Sequence, residues 1–143
     1  MRISEFETDH DSIENGTWRD AVGLPGVKLQ VRGIGNVAYR RLQAKLAADR
    51  TGGAALDPIE DDRLMGRLLH ETVLLGWKGI TEEAPAASGS DAGPTEREVP
   101  FTPERARELL TEPRFKRFQG CVYATATILA NETKAEREAA AKN

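Results

Sequence analysis

From Asp57 onward the chain writes a helix start followed by a wide apolar stripe, and this run constrains the fold more than any other feature. Asp57 offers a side-chain acceptor ahead of the helix, Pro58 sits at the first helical position, where proline is tolerated, and Leu64, Met65, Leu68, Leu69, Thr72, Val73 and Leu75 follow on one broad face. A stripe that wide predicts the central helix of the core.

The neighbouring segments predict its surroundings. Asn36 caps a helix in which Val37, Tyr39, Leu42 and Leu46 recur at near-helical spacing up to Asp49, and Thr51-Gly52-Gly53 closes it. Thr102-Pro103-Glu104 joins a hydroxyl cap, a first-turn proline and an acid favoured by the helix dipole, with Ala106, Leu109 and Leu110 facing inward. Pro113 opens a last long helix in which Phe115, Phe118, Val122, Ala126 and Leu129 step by three and four residues. Upstream, Trp18, Asp20 and Val22 lie on one side of an extended chain, and Gly23-Leu24-Pro25-Gly26 supplies a turn. Val27, Leu29 and Val31 then alternate with Lys28, Gln30 and Arg32 up to Gly33 and Gly35, a β-hairpin signal.

The expected fold is therefore mainly α with a small N-terminal β-hairpin (α+β), a compact helical domain over residues 17–143. Residues 1–16 carry Glu5, Glu7, Asp9, Asp11 and Glu14 with few large apolar side chains, and are expected to be a flexible acidic lead-in. Residues 81–98 read as a mobile loop, loosest from Ala84 to Ser90, and residues 132–143 as a charged tail whose helix frays.

Composition removes several classes of function. A chain of 143 residues with 39% hydrophobic and 30% charged residues suits one soluble domain. A net charge of -3 gives no electrostatic case for nucleic acid. The basic stretch of Lys28, Arg32, Arg40, Arg41, Lys45 and Arg50 has no aromatic stacking platform beside it, so an intramolecular or acidic-partner surface is the better reading. The start of the chain lacks the basic and apolar regions of a secretory signal, and no apolar run approaches the ~20 residues that cross a bilayer. Cys121, the one cysteine, lies in an apolar run and reads as a packed thiol in a reducing compartment.

Catalytic and metal sites are not expected. His10 and His70 lie in different segments, and the His70-Glu71 pair lacks a second histidine at metal-binding spacing. The glycines of Arg32-Gly33-Ile34-Gly35-Asn36 join a strand to a helix, yet no third glycine or Lys-Ser/Thr pair follows, so tight turns explain them better than a phosphate loop. No cofactor is implied. The remaining candidate is a binding surface: Phe115 and Phe118 flanked by Arg114, Lys116 and Arg117, where an apolar side can join a hydrophobic partner while the basic rim sets its orientation.

Two segments are more specific. Leu74-Leu75-Gly76-Trp77-Lys78-Gly79-Ile80 is followed after a loop by Val99-Pro100-Phe101-Thr102-Pro103-Glu104, Leu109-Leu110 and Pro113, and the chain finishes on Glu136-Arg137-Glu138-Ala139-Ala140-Ala141-Lys142-Asn143. Together with Gly16-Thr17-Trp18, the hairpin and Arg32-Gly33-Ile34-Gly35-Asn36, this order resembles the tail assembly chaperones of long-tailed bacteriophages. The same motif has a packing reading: Trp77 caps the core helix, Gly76 and Gly79 let the chain reverse around the indole, and Pro100 and Phe101 return beside it. A longer loop at 82–98 departs from the short Asp-Gly turn usual in that family. The resemblance implies a protein of the host cell cytoplasm that binds the tape-measure protein, keeps it soluble while tail-tube protein polymerises around it, and is absent from the finished virion. It also implies a frameshifted longer form that recruits the tube protein. Self-association into a homo-oligomer stays open. The alternatives are a structural component of the tail or connector and, behind it, a small enzyme.

Overall fold

The computed structural model describes residues 1–49, 57–85, 93 and 95–141. Along the chain run a 3-10 turn (Ile3–Phe6), α1 (His10–Asn15), β1 (Thr17–Asp20), β2 (Lys28–Val31), α2 (Val37–Ala48), α3 (Pro58–Thr72), β3 (Leu74–Lys78), β4 (Thr81–Ala84), β5 (Thr95–Glu98), α4 (Pro103–Thr111), a second 3-10 turn (Pro113–Phe115), α5 (Lys116–Asn131) and α6 (Lys134–Ala141).

The expected fold class is corrected by the strands, which are not confined to an N-terminal hairpin but form two sheets spread along the chain. β1 does pair antiparallel with β2, Thr17 opposite Val31, but β2 is the centre of a three-stranded sheet whose other edge is β3. Sequence periodicity assigned Val73 and Leu75 to the helical stripe. In the structure α3 ends at Thr72, and Leu74–Lys78 lies along β2 with Trp77 opposite Leu29. A short apolar run does not distinguish helix from strand, and two facts outside the run decide it. β2 has a second edge whose backbone groups need partners, and Gly76 opposes helix continuation. The register shifts between Gln30 and Val31, which leaves Leu75 exposed on the outer side.

A second correction concerns residues 81–98. Their ends are strands, β4 and β5, paired with Glu82 opposite Arg97 and joined by an ion pair of 2.9 Å between those side chains. Cross-strand charges carry this ribbon, so no apolar alternation announced it. The Ala-Ser-Gly portion at 86–92 and residue 94 lie outside the described residues, as does the Thr51-Gly52-Gly53 helix end.

The two charged termini, expected to be loose, meet each other. Asp9 caps α1 by accepting from the Ser12 amide at 3.2 Å, and Arg137 of α6 forms an ion pair with Asp9. Thr8 bridges Thr133, the Lys134 amide donates to the Glu7 carbonyl, and Arg19 pairs with Glu132 at 2.8 Å. Glu14 accepts from the Val37 amide at the positive start of α2, and the Arg32 guanidinium donates to the Glu14 carbonyl at 2.6 Å. Part of the basic stretch is thus spent inside the molecule on the acidic segment.

The capping residues read from the sequence act as such. Asn36, fully buried, accepts from the Tyr39 amide at 2.9 Å and donates to the carbonyls of Gly33 and Thr72, tying the start of α2 to the end of α3. Asp57 and Thr102 accept from the Ile59 and Arg105 amides. Leu29 and Val31 of the sheet, Leu69 and Val73 at the end of α3, Leu110 of α4 and Val122, Ala126 and Leu129 of α5 make one continuous buried cluster.

Candidate functional site

At one end of this cluster stands Trp77, 5% exposed. Its indole N–H donates to the Val99 carbonyl at 2.7 Å, and the rings of Phe101 and Phe118 meet it edge-on with centroids 4.8 and 6.0 Å away. Pro100, the third member of the sequence motif, is exposed and joins Val99 to Phe101. The indole therefore pins three separated stretches of chain: β3, the strand-to-helix connection and the start of α5. Contrary to the sequence reading, it does so from a strand rather than as the cap of α3.

Phe118, which meets the Trp77 ring, also lines a groove of about 350 Å³. Its apolar wall is Leu24 and Val27 from the β1–β2 turn, Ile80 after β3, Leu109 of α4, Phe115 of the 3-10 turn and Phe118 of α5, each of them half-buried. Leu24, Val27, Ile80, Leu109 and Phe118 pack one side against the core while the other faces solvent. Glycine is required where the groove closes at its base. Gly79 has a φ of +87°, and a Cβ there would lie 2.2 Å from the Gly26 carbonyl oxygen, so only a glycine lets the turn between β1 and β2 approach the end of β3.

Two guanidinium groups rim the groove. Arg114 lies over the Phe115 ring, 4.7 Å from its centroid, and reaches Glu108 at 3.4 Å. Arg117 donates to the Gly23 carbonyl at 3.2 Å. Both are exposed, so the groove offers an apolar bed with positive charge at its margin. Of the five binding residues named from the sequence, the structure brings Phe115, Phe118, Arg114 and Arg117 together. Lys116 is the exception: its ammonium pairs with Asp62 of α3 at 3.4 Å, away from the groove. Val27 and Leu109 were missed because they read as core positions, Leu24 because it read as part of a turn and Ile80 because it read as part of the tryptophan motif; only the fold places the four side by side with one flank uncovered.

Other chemistry falls away from this groove. Among the described residues no group of three or more His, Cys, Asp or Glu side chains could hold a metal ion, and no helix is long and apolar enough to cross a membrane. Cys121 is half-buried in α5, with Gly23 its neighbour in the turn. Burial pushes the Tyr39 phenol above its ordinary value of 10.0, with Tyr123 adding to the shift. Tyr39 lies on α2 and does not line the groove.

A family model described as YdaY prophage protein matches residues 34–143, well over half of the chain. The chain belongs to the YdaY prophage protein family. It is therefore phage-derived, which narrows the resemblance drawn from the tryptophan and Pro-Phe segments to its phage origin. The matched YdaY region contains Trp77, Gly79 and the α4–α5 side of the groove, while Leu24 and Val27 come from the stretch before it. No curated protein and no solved structure matches the chain.

Proposed function

We propose that this YdaY-family protein is a phage tail assembly chaperone, a holding protein without catalytic activity that works in the host cell cytoplasm. The observation that carries the reading is the groove lined by Phe115 and Phe118: six half-buried apolar side chains from five stretches of chain, rimmed by Arg114 and Arg117. Such a surface suits a short apolar segment with carboxylates at its flanks, since the bed removes apolar area from water and the guanidiniums select orientation. A tape-measure protein is the client that the resemblance to tail assembly chaperones supplies, with the tube protein as a later partner. Release needs no chemistry, because binding of this kind is reversible and yields to a competing partner by mass action.

Co-expression tests this directly. The full-length protein should keep fragments of the prophage's own tape-measure protein in the soluble fraction and co-purify with them, and Phe115→Asp should abolish both effects while leaving the melting temperature nearly unchanged. Finding the protein in fixed stoichiometry in finished particles, with no effect on tape-measure solubility, would replace the chaperone reading by that of a structural tail component.

A further inference from the structure

A second concavity, of about 680 Å³, opens between α3 and α4 and has a different character. Arg63, Arg67 and His70 stand at i, i+4 and i+7 on α3, one stripe of the helix, and Arg107 faces them from α4. The helices are at backbone contact here, for a Cβ on Gly66 would lie 2.1 Å from the Leu110 carbonyl oxygen. Buried Gln119 of α5 fastens both walls by donating to the carbonyls of Asp62, at 2.7 Å, and Leu110, at 3.3 Å. The cleft is thus a rigid feature of the core packing.

Its charges are unbalanced in a specific way. The arginines of the two helices other than Arg63 and Arg107 are matched: Arg67, in the same lining, with Glu71 at 2.5 Å, and Arg105 with Glu82 and Glu108. Arg63 and Arg107 make no side-chain hydrogen bond or ion pair with any described residue, although both line the same cleft. Beside them His70 has a buried Nδ1 that finds no hydrogen-bond partner among the described residues. Arg63 and Arg107 therefore keep their guanidinium donors available to a bound dianion, which would accept charge-assisted hydrogen bonds from both. Glu71 and Glu112 stand in the same lining and would repel a long polyanion, so the arrangement fits one phosphate group on a small molecule rather than a nucleic-acid strand.

We propose that the α3–α4 cleft is a binding site for a single phosphate group, free or esterified to a small organic molecule, held by Arg63 and Arg107. The site shares no lining residue with the groove at Phe115 and Phe118 and does not depend on the chaperone reading. The test is calorimetric titration of the full chain, at constant ionic strength set with chloride, with inorganic phosphate, AMP and adenosine, together with NMR of the His70 ring and the arginine Nε resonances. Phosphate and AMP should bind and move the Arg63, Arg107 and His70 signals, whereas adenosine should not. AMP tighter than phosphate would identify an esterified ligand, and equal affinities would identify the free ion. Arg63→Gln and Arg107→Gln, both at exposed positions, should keep the wild-type melting curve and each weaken binding by about tenfold or more. Glu112→Gln, which removes a competing negative charge from the lining, should tighten it. The proposal is overturned if chloride alone reproduces the shifts, if adenosine binds as well as AMP, or if folded Arg63→Gln and Arg107→Gln proteins bind phosphate like the wild type.

Discussion

Gly66 and Gly120 form a matched pair on which the packing argument can be tested. Both lie inside helices, α3 and α5, where glycine is unfavourable relative to alanine by roughly 0.5 to 1 kcal/mol. Sequence alone therefore predicts that either alanine substitution stabilises. The structure separates them. At Gly120, which is exposed, an added methyl would meet none of the described residues within 4 Å, so Gly120→Ala should gain up to about 1 kcal/mol. At Gly66, which is buried, the methyl would meet the Leu110 carbonyl oxygen at 2.1 Å and its carbon at 2.9 Å. Because that obstacle is backbone, α4 must move, and overpacking of this kind costs about 1 to 3 kcal/mol or more, exceeding the propensity gain. Subtracting the propensity gain leaves Gly66→Ala a net loss of up to about 2.5 kcal/mol. For a chain of this size each kcal/mol moves the melting temperature by roughly 2 to 4 °C. Thermal unfolding followed by far-ultraviolet circular dichroism should then show Gly120→Ala melting above the wild type and Gly66→Ala several degrees below it. A raised melting temperature in Gly66→Ala would refute the α3–α4 contact and the shape of the cleft built on it.

Two further perturbations probe other parts of the molecule. Trp77→Ala should destabilise by about 3 to 5 kcal/mol in denaturant unfolding, since it empties a buried volume and strands the Val99 carbonyl; an unchanged midpoint would show that Trp77 does not pin the three stretches of chain around it. The raised folded-state pKa of Tyr39 predicts a pH effect of definite sign: its contribution is complete below the unfolded value of about 10 and is lost as pH climbs through the folded value, because the unfolded chain gives up the proton first. Stability should fall above pH 10 less steeply in Tyr39→Phe than in the wild type, and equal slopes would assign the decline to other groups.

What the sequence by itself determined is whatever local chemistry decides. Asn36, Asp57 and Thr102 mark helix starts because a side-chain oxygen two or three residues before a free amide acts at short range, whatever the rest of the chain does. The stripe of α3 as far as Thr72, and that of α5, are legible for the same reason: periodicity is a property of the segment. The tertiary structure alone decided the rest. Leu74–Lys78 is a strand because β2 has an open edge to satisfy, not because its residues differ from those of a helix. The β4–β5 ribbon and the meeting of α1 with α6 rest on charges far apart in sequence, such as Glu82 with Arg97 and Asp9 with Arg137, and charge pairing carries no period to read. The groove divides along the same line. Phe115 and Phe118 with Arg114 and Arg117 are neighbours in the chain and could be named together, whereas Lys116 points elsewhere because a helix turns its side chain by about 100° per residue. Leu24, Val27, Ile80 and Leu109 join them only because Gly79 lets the turn after β1 come within backbone contact of the end of β3, a distance no sequence spacing encodes.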